Sequence, residues 1–143
     1  MSLRQFIRFK EKYSEKSHQK GLVRWANMHW WGKMLIYLPN DIALSFGTKN
    51  PYPILQTRKS MGLKKGLPDL FLAIPIHPYH GLFLELKNNH KTPSESQFRM
   101  LDILNSYDYY AGWSDNLDQS MEIITGYLGE RLTFEVKKNY FLK

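Results

Sequence analysis

Cysteine is absent from the sequence. That excludes a disulfide framework and a thiolate zinc site, and it makes a reducing compartment, the cytosol, the expected home. Long apolar runs are absent as well. No stretch approaches the roughly 18 residues of a membrane span, and the opening MSLRQFIRFKEKYSEK is too charged for the apolar core of a signal peptide. A soluble protein with no membrane partner is expected. Repeats, low-complexity tracts and linkers are missing too, because the 7 prolines and 9 glycines are scattered as punctuation. One domain over residues 1–143 is the simplest organisation, and a chain of that length buries about two thirds of its unfolded surface without a staple.

Acidic residues are scarce in one half only. The formal net charge of +7 divides into 13 Lys and Arg against 3 acids from Met1 to Gly66, and 7 against 10 from Leu67 to Lys143. A basic surface beside an acidic pocket suits a polyanion held on the one and acted on at the other, as nucleic acid would be. The plainer alternative is a solvated basic face.

Apolar spacing predicts a long helix from about Ser14 to Met34, capped by Ser14 and using Leu22, Trp25, Ala26, Met28 and Trp30. A short strand over Leu35–Leu38 follows, stopped by Pro39. A second helix begins near Pro53 and ends at Gly62. Two strands, Asp69–Ile74 and Gly81–Lys87, flank the loop PIHPYH, in which His77 and His80 read as loop residues. Ser94 and Glu95 open a helix with Phe98, Leu101, Ile103 and Leu104 as its apolar positions. Tyr109–Trp113 reads as a strand and Asp115–Leu128 as a helix, and the tail RLTFEVKKNYFL suits an edge strand. Strands mixed with helices in this order give an α/β or α+β domain around one sheet.

Three charges stand out within GLPDLFLAIPIHPYHGLFLELK. Side chains alternate across a strand, so Glu85 and Lys87 share a face with Gly81 and Phe83, and Leu82, Leu84 and Leu86 point the other way. An antiparallel hairpin centred on His77 puts Asp69 opposite Glu85, Phe71 opposite Phe83 and Ala73 opposite Gly81. Facing carboxylates have β-carbons about 5 Å apart and repel unless a positive charge lies between them. A divalent cation removes the conflict. Magnesium binds oxygen ligands at about 2.0–2.1 Å, takes one or two carboxylates, and fills its other positions with water and substrate phosphate. Lys87, one pleat beyond Glu85, is then placed to hold the attacking water and to stabilise the charge that grows on the phosphate. Taken singly, Pro-Asp is ordinary turn chemistry and Glu-x-Lys an ordinary exposed pair; the combination on one hairpin is the signal.

The runs GLKKGLPDLFL, HGLFLELK, SESQFRMLDIL and YYAGWSDNLDQSMEIITGYL, in that order and spacing, resemble the VRR-NUC (virus-type replication-repair nuclease) domains of the PD-(D/E)xK nuclease superfamily. The resemblance spans about residues 15–128. It implies a restriction-endonuclease-like α/β core, with a central mixed β-sheet flanked by helices, and a Mg2+- or Mn2+-dependent deoxyribonuclease. In the family pattern Asp69, Glu85 and the backbone carbonyl of Leu86 bind the metal, Lys87 acts on the water, and Gln97 orients water or phosphate. Without the resemblance, Gln97 reads as a solvent-facing residue or part of the helix start. The family's first-helix Glu falls on Glu15, with Glu11 as the alternative. Small stand-alone members from bacteria and phages are associated with homodimers that cut branched DNA such as four-way junctions, in replication, recombination or repair.

For the DNA backbone, Arg58, Lys59, Lys64 and Lys65 just before Asp69 are the main candidates, with Gly62 and Gly66 allowing close approach. Lys16, Lys20 and Arg24, four residues apart on the first helix, form a second stripe. The adjacent Trp25, Trp30 and Trp31 suit core or dimer contacts. Two other readings stay open. A catalytically silent nucleic-acid module would have no need of two facing acids beside phosphate. A membrane-surface element built on the Lys- and Trp-bearing helix leaves those acids unexplained. Within the nuclease reading, restriction-type or exonuclease activity fits the same core.

Overall fold

The computed structural model describes residues 14–39, 52–88 and 90–129. In chain order the elements are α1 (Glu15–Ala26), a 3-10 turn (Trp30–Met34), β1 (Leu35–Tyr37), α2 (Tyr52–Ser60), β2 (Leu70–Leu72), β3 (Leu82–Leu86), α3 (Glu95–Ser106), β4 (Tyr110–Ser114) and α4 (Leu117–Leu128). The sheet order is β1-β2-β3-β4. β1 and β2 pair antiparallel, as do β2 and β3, and β3 pairs parallel with β4 across the α3 crossover. This is the expected mixed sheet flanked by helices. No helix among the described residues is long and apolar enough to cross a membrane.

The alternation in β3 sorts the molecule into two sides. Leu82, Leu84 and Leu86, joined by Leu70 and Leu72 of β2, pack with Leu22, Ala26 and Trp31 and with Ile124 and Leu128 into the core. Full burial of each leucine contributes about 2 kcal/mol relative to exposure. α1 and α4 pack against each other over this side. α3 lies against β3 and β4, and the contact of Phe98 with Trp113, the β4 partner of Glu85, puts it on the Glu85 side.

α1 is shorter than the spacing predicts. It stops at Ala26, and the chain folds back on the helix end: His29 N–H donates to the Ala26 carbonyl at 2.9 Å, and Met28 N–H to that of Trp25 at 3.1 Å. The reversal carries Trp31 into the core with no exposed surface and leaves Met28 72% exposed. Gly32 makes it possible, because a Cβ there would stand 2.2 Å from the Ala26 carbonyl oxygen.

α3 forms where expected, and its apolar residues differ in burial: Leu101 is buried, whereas Phe98 and Ile103 are 41% and 50% exposed. Ile103 lies about 200° around the helix from Leu101, so the two cannot face the same sheet. α2 stops two residues short of Gly62, which takes a positive φ of 100°, while Leu63 N–H closes onto the Arg58 carbonyl at 2.9 Å. α4 starts two residues later than expected, capped by Asn116, whose side chain accepts from Gln119 N–H at 2.8 Å. The PIHPYH loop is the hairpin tip, closed by an Ile76–Tyr79 bridge, with His77 and His80 exposed. Glu11 and the tail beyond Gly129 lie outside the described residues.

Candidate functional site

The observed register pairs Leu70 with Leu84, Phe71 with Phe83 and Leu72 with Leu82. One step further puts Asp69 opposite Glu85, at the end of the hairpin away from the tip, as the alternation predicts. Phe71 and Phe83 stack at 4.4 Å between the acids and the tip. Asp69 is fixed at two points. Its carbonyl accepts from Leu38 N–H at 2.8 Å, and its Oδ2 accepts from Leu86 N–H at 2.8 Å. The N–H and C=O of one strand residue point to the same edge, so the Leu86 carbonyl is directed toward the Asp69 side while its side chain lies in the core.

Glu85 is 1% exposed. Its Oε1 pairs with Lys87 Nζ at 2.7 Å and also accepts from Gln97 Nε2. Its Oε2 is buried and has no hydrogen-bond partner among the described residues. Burial pushes the Glu85 carboxyl up to about 7, the charge of Asp69 adds to the rise, and Glu15 adds a little more; the hydrogen bond and charge of Lys87 act against it. The acid is costly to ionise chiefly because it is buried, and the neighbouring Asp69 charge adds to that cost.

Gln97 reaches Glu85 because of how α3 begins. Ser94 caps the helix, and Gln97 returns its Oε1 to Ser94 N–H at 2.8 Å, completing a capping box. The same amide's nitrogen donates to Glu85. Gln97 is therefore part of the helix start and at the same time a hydrogen-bond partner of Glu85.

These residues share a cleft of about 440 Å³ whose lining includes Glu15, Asp69, Glu85, Lys87, Gln97 and, from the basic segment, Lys59, Lys64 and Lys65. Gly66 brings that segment in. Its φ is +79°, and a Cβ there would meet the Ser96 carbonyl oxygen at 2.4 Å, so only glycine lets the loop rest on the first turn of α3. Arg58 and the exposed stripe of Lys16, Lys20 and Arg24 are not part of the lining. Ser94 and Ser96 are, and the sequence marked only Ser94, as a cap. His18 was missed altogether, although a polar residue on the Leu22–Ala26 stripe of α1 was a signal.

Among the described residues no three His, Cys, Asp or Glu side chains form a ready metal cluster. The arrangement is instead two facing carboxylates, with Glu15 elsewhere in the lining of the same cleft. That donor set suits a hard divalent cation that keeps water and phosphate ligands, and the unpartnered Glu85 Oε2 is the acceptor such an ion would satisfy.

No family model matches the chain, and no curated protein matches it. Among solved structures, a VRR_NUC domain protein superposes with a TM-score of 0.69 at 21% identity, over 81% of this chain and 88% of that one. The chain therefore has the VRR-NUC fold.

Proposed function

We propose that the protein is a metal-dependent endonuclease that hydrolyses DNA phosphodiester bonds and prefers branched DNA such as a four-way junction, in replication, recombination or repair. The observation that carries this reading is the facing pair Asp69 and Glu85, with Lys87 on one Glu85 oxygen and the other oxygen unpartnered, inside a cleft rimmed by lysines. Asp69, Glu85 and the Leu86 carbonyl would hold Mg2+ or Mn2+, with Glu15 as a further ligand directly or through water. Bound there, the ion supplies a lowered pKa for a coordinated water and charge for the phosphate oxygens.

The chain's own groups do the rest. Lys87 holds the attacking water through Nζ and offsets the charge on the phosphoryl oxygens as the water oxygen bonds to phosphorus and one ester P–O bond breaks. Gln97 keeps Glu85 in its orientation and presents its amide to water or phosphate. Lys59, Lys64 and Lys65 hold the backbone beside the scissile bond, with Arg58 behind them, and Lys16, Lys20 and Arg24 take a second length of DNA along α1. A lysine-lined cleft with a second basic stripe outside its lining would suit DNA with more than one arm. A homodimer would put two such clefts on the symmetry-related strands of a junction, and a cysteine-free enzyme of this kind would work in the cytosol.

The test is cleavage of labelled four-way junction, flap, single-stranded and linear duplex DNA with Mg2+, Mn2+ or EDTA, by the intact protein and Lys87→Ala. Metal-dependent nicking of branched DNA, abolished in Lys87→Ala, is expected. Cutting of linear DNA alone would keep the site and discard the junction preference. Binding without cutting would make the protein a silent nucleic-acid module. Light scattering of the DNA complex should give, once the DNA mass is subtracted, twice the 17.0 kDa chain mass; a single-chain protein share would discard the dimer.

A further inference from the structure

On the far side of the sheet from the carboxylates lies a buried polar chain that the proposed reaction does not use. His18 on α1, Ser114 at the end of β4 and Ser120 on α4 are all buried. His18 Nδ1 is 3.0 Å from the Lys87 carbonyl oxygen, and its Nε2 is 2.8 Å from Ser120 Oγ. The Ser120 hydroxyl meets that of Ser114, and the Ser114 carbonyl accepts from Lys87 N–H at 2.8 Å. The chain closes on itself: it starts and ends at the backbone of Lys87.

A carbonyl only accepts, so Nδ1 must carry the proton that bonds Lys87. With a neutral ring, Nε2 accepts from Ser120, and Ser120 accepts from Ser114. Three buried polar side chains cost desolvation that their hydrogen bonds roughly offset, so apolar packing would serve stability as well. What a fully satisfied network adds is a single position for the groups it holds. Here that group is the Lys87 backbone, just beyond the last residue of β3, where β4 still holds the N–H through the Ser114 carbonyl and the His18 ring holds the carbonyl. The helix that grips it is α1, which carries Glu15 one turn before His18.

We propose that His18 is a positioning residue: its Nδ1–H pins the Lys87 backbone to α1, setting the lysine, the adjoining Leu86 carbonyl and Glu15 in one fixed arrangement. The role as an aid to turnover rests on the nuclease reading above; the geometric role does not.

The experiment compares the wild-type chain with His18→Asn and His18→Gln. Asn offers an amide N–H where Nδ1 stands. Gln reaches toward Ser120 and leaves the Lys87 carbonyl without its donor. Three quantities are read: kcat and KM on cleaved DNA with Mn2+, Mn2+ affinity by calorimetry, and the thermal midpoint. His18→Gln should lose about ten- to a hundredfold in kcat and in Mn2+ affinity with KM unchanged, and His18→Asn should stay within about threefold of wild type in both. Wild-type kcat in His18→Gln, or losses in both variants that track their thermal midpoints, would overturn the proposal. If the wild-type protein cuts no DNA with any metal, the nuclease reading fails by itself, and calorimetry decides the positioning role. Weaker Mn2+ binding in His18→Gln than in His18→Asn supports it, and equal affinities in all three chains refute it.

Discussion

The two sides of β3 follow opposite rules. On one, Leu82, Leu84 and Leu86 lie in a closed core, and every contact favours the folded state. On the other, Glu85, the residue between Leu84 and Leu86 on the same strand, is equally buried, faces Asp69, and has one oxygen without a hydrogen-bond partner among the described residues. The first side stabilises the protein; the second costs stability and holds the proposed site. One five-residue strand serves both because its side chains alternate.

That contrast can be broken from either side, and the largest effects come from substitutions that separate stability from activity. Lys87→Ala should lower cleavage about a thousandfold, roughly 4 kcal/mol at the transition state, while the protein stays folded by circular dichroism. Leu84→Ala should do the reverse. It should cost about 3 kcal/mol of unfolding free energy in urea, with normal cleavage from the fraction that remains folded.

The next effect is on pH. Because Glu85 titrates at about 7 rather than 4.5, the folded protein holds a proton there that the unfolded chain has released. Stability from this group is therefore full below about pH 4.5 and falls as pH rises through 7. The loss is on the order of 3 kcal/mol. Denaturant titrations of metal-free protein at pH 5 and pH 8 should show this fall, Glu85→Gln should flatten it, and saturating Mn2+ should oppose it at pH 8. A wild-type slope that persists in Glu85→Gln would place its origin elsewhere. The smallest effect belongs to the rim. Removing Lys64 and Lys65 together should weaken DNA binding evenly across sequences and reduce the salt dependence by about two phosphate contacts.

The hairpin was legible in the sequence because period-two alternation fixes which residues share a face. Parity alone put Asp69 on the Glu85 side, and the observed register agrees. Most helices were legible from spacing and caps. The end of α1 was not, because the break depends on Trp31 finding a place in the core and on Gly32 touching Ala26, both outcomes of packing. The partial exposure of Phe98 and Ile103 was not legible either, because apolar character on α3 does not say how many of its sides are covered. The His18 network was invisible because its serines lie about a hundred residues away in sequence, where no local pattern reaches.

Gln97 draws a boundary around the sequences this site can accept. At the third position of a capping box, glutamate and glutamine are ordinarily interchangeable, since only an acceptor for the cap N–H is needed. Here the other end of the amide donates to Glu85, and a glutamate would bring another carboxylate to an acid already hard to ionise. A drift that the helix would tolerate is closed by the neighbouring acid, so the beginning of α3 and the charge beneath it can change only together.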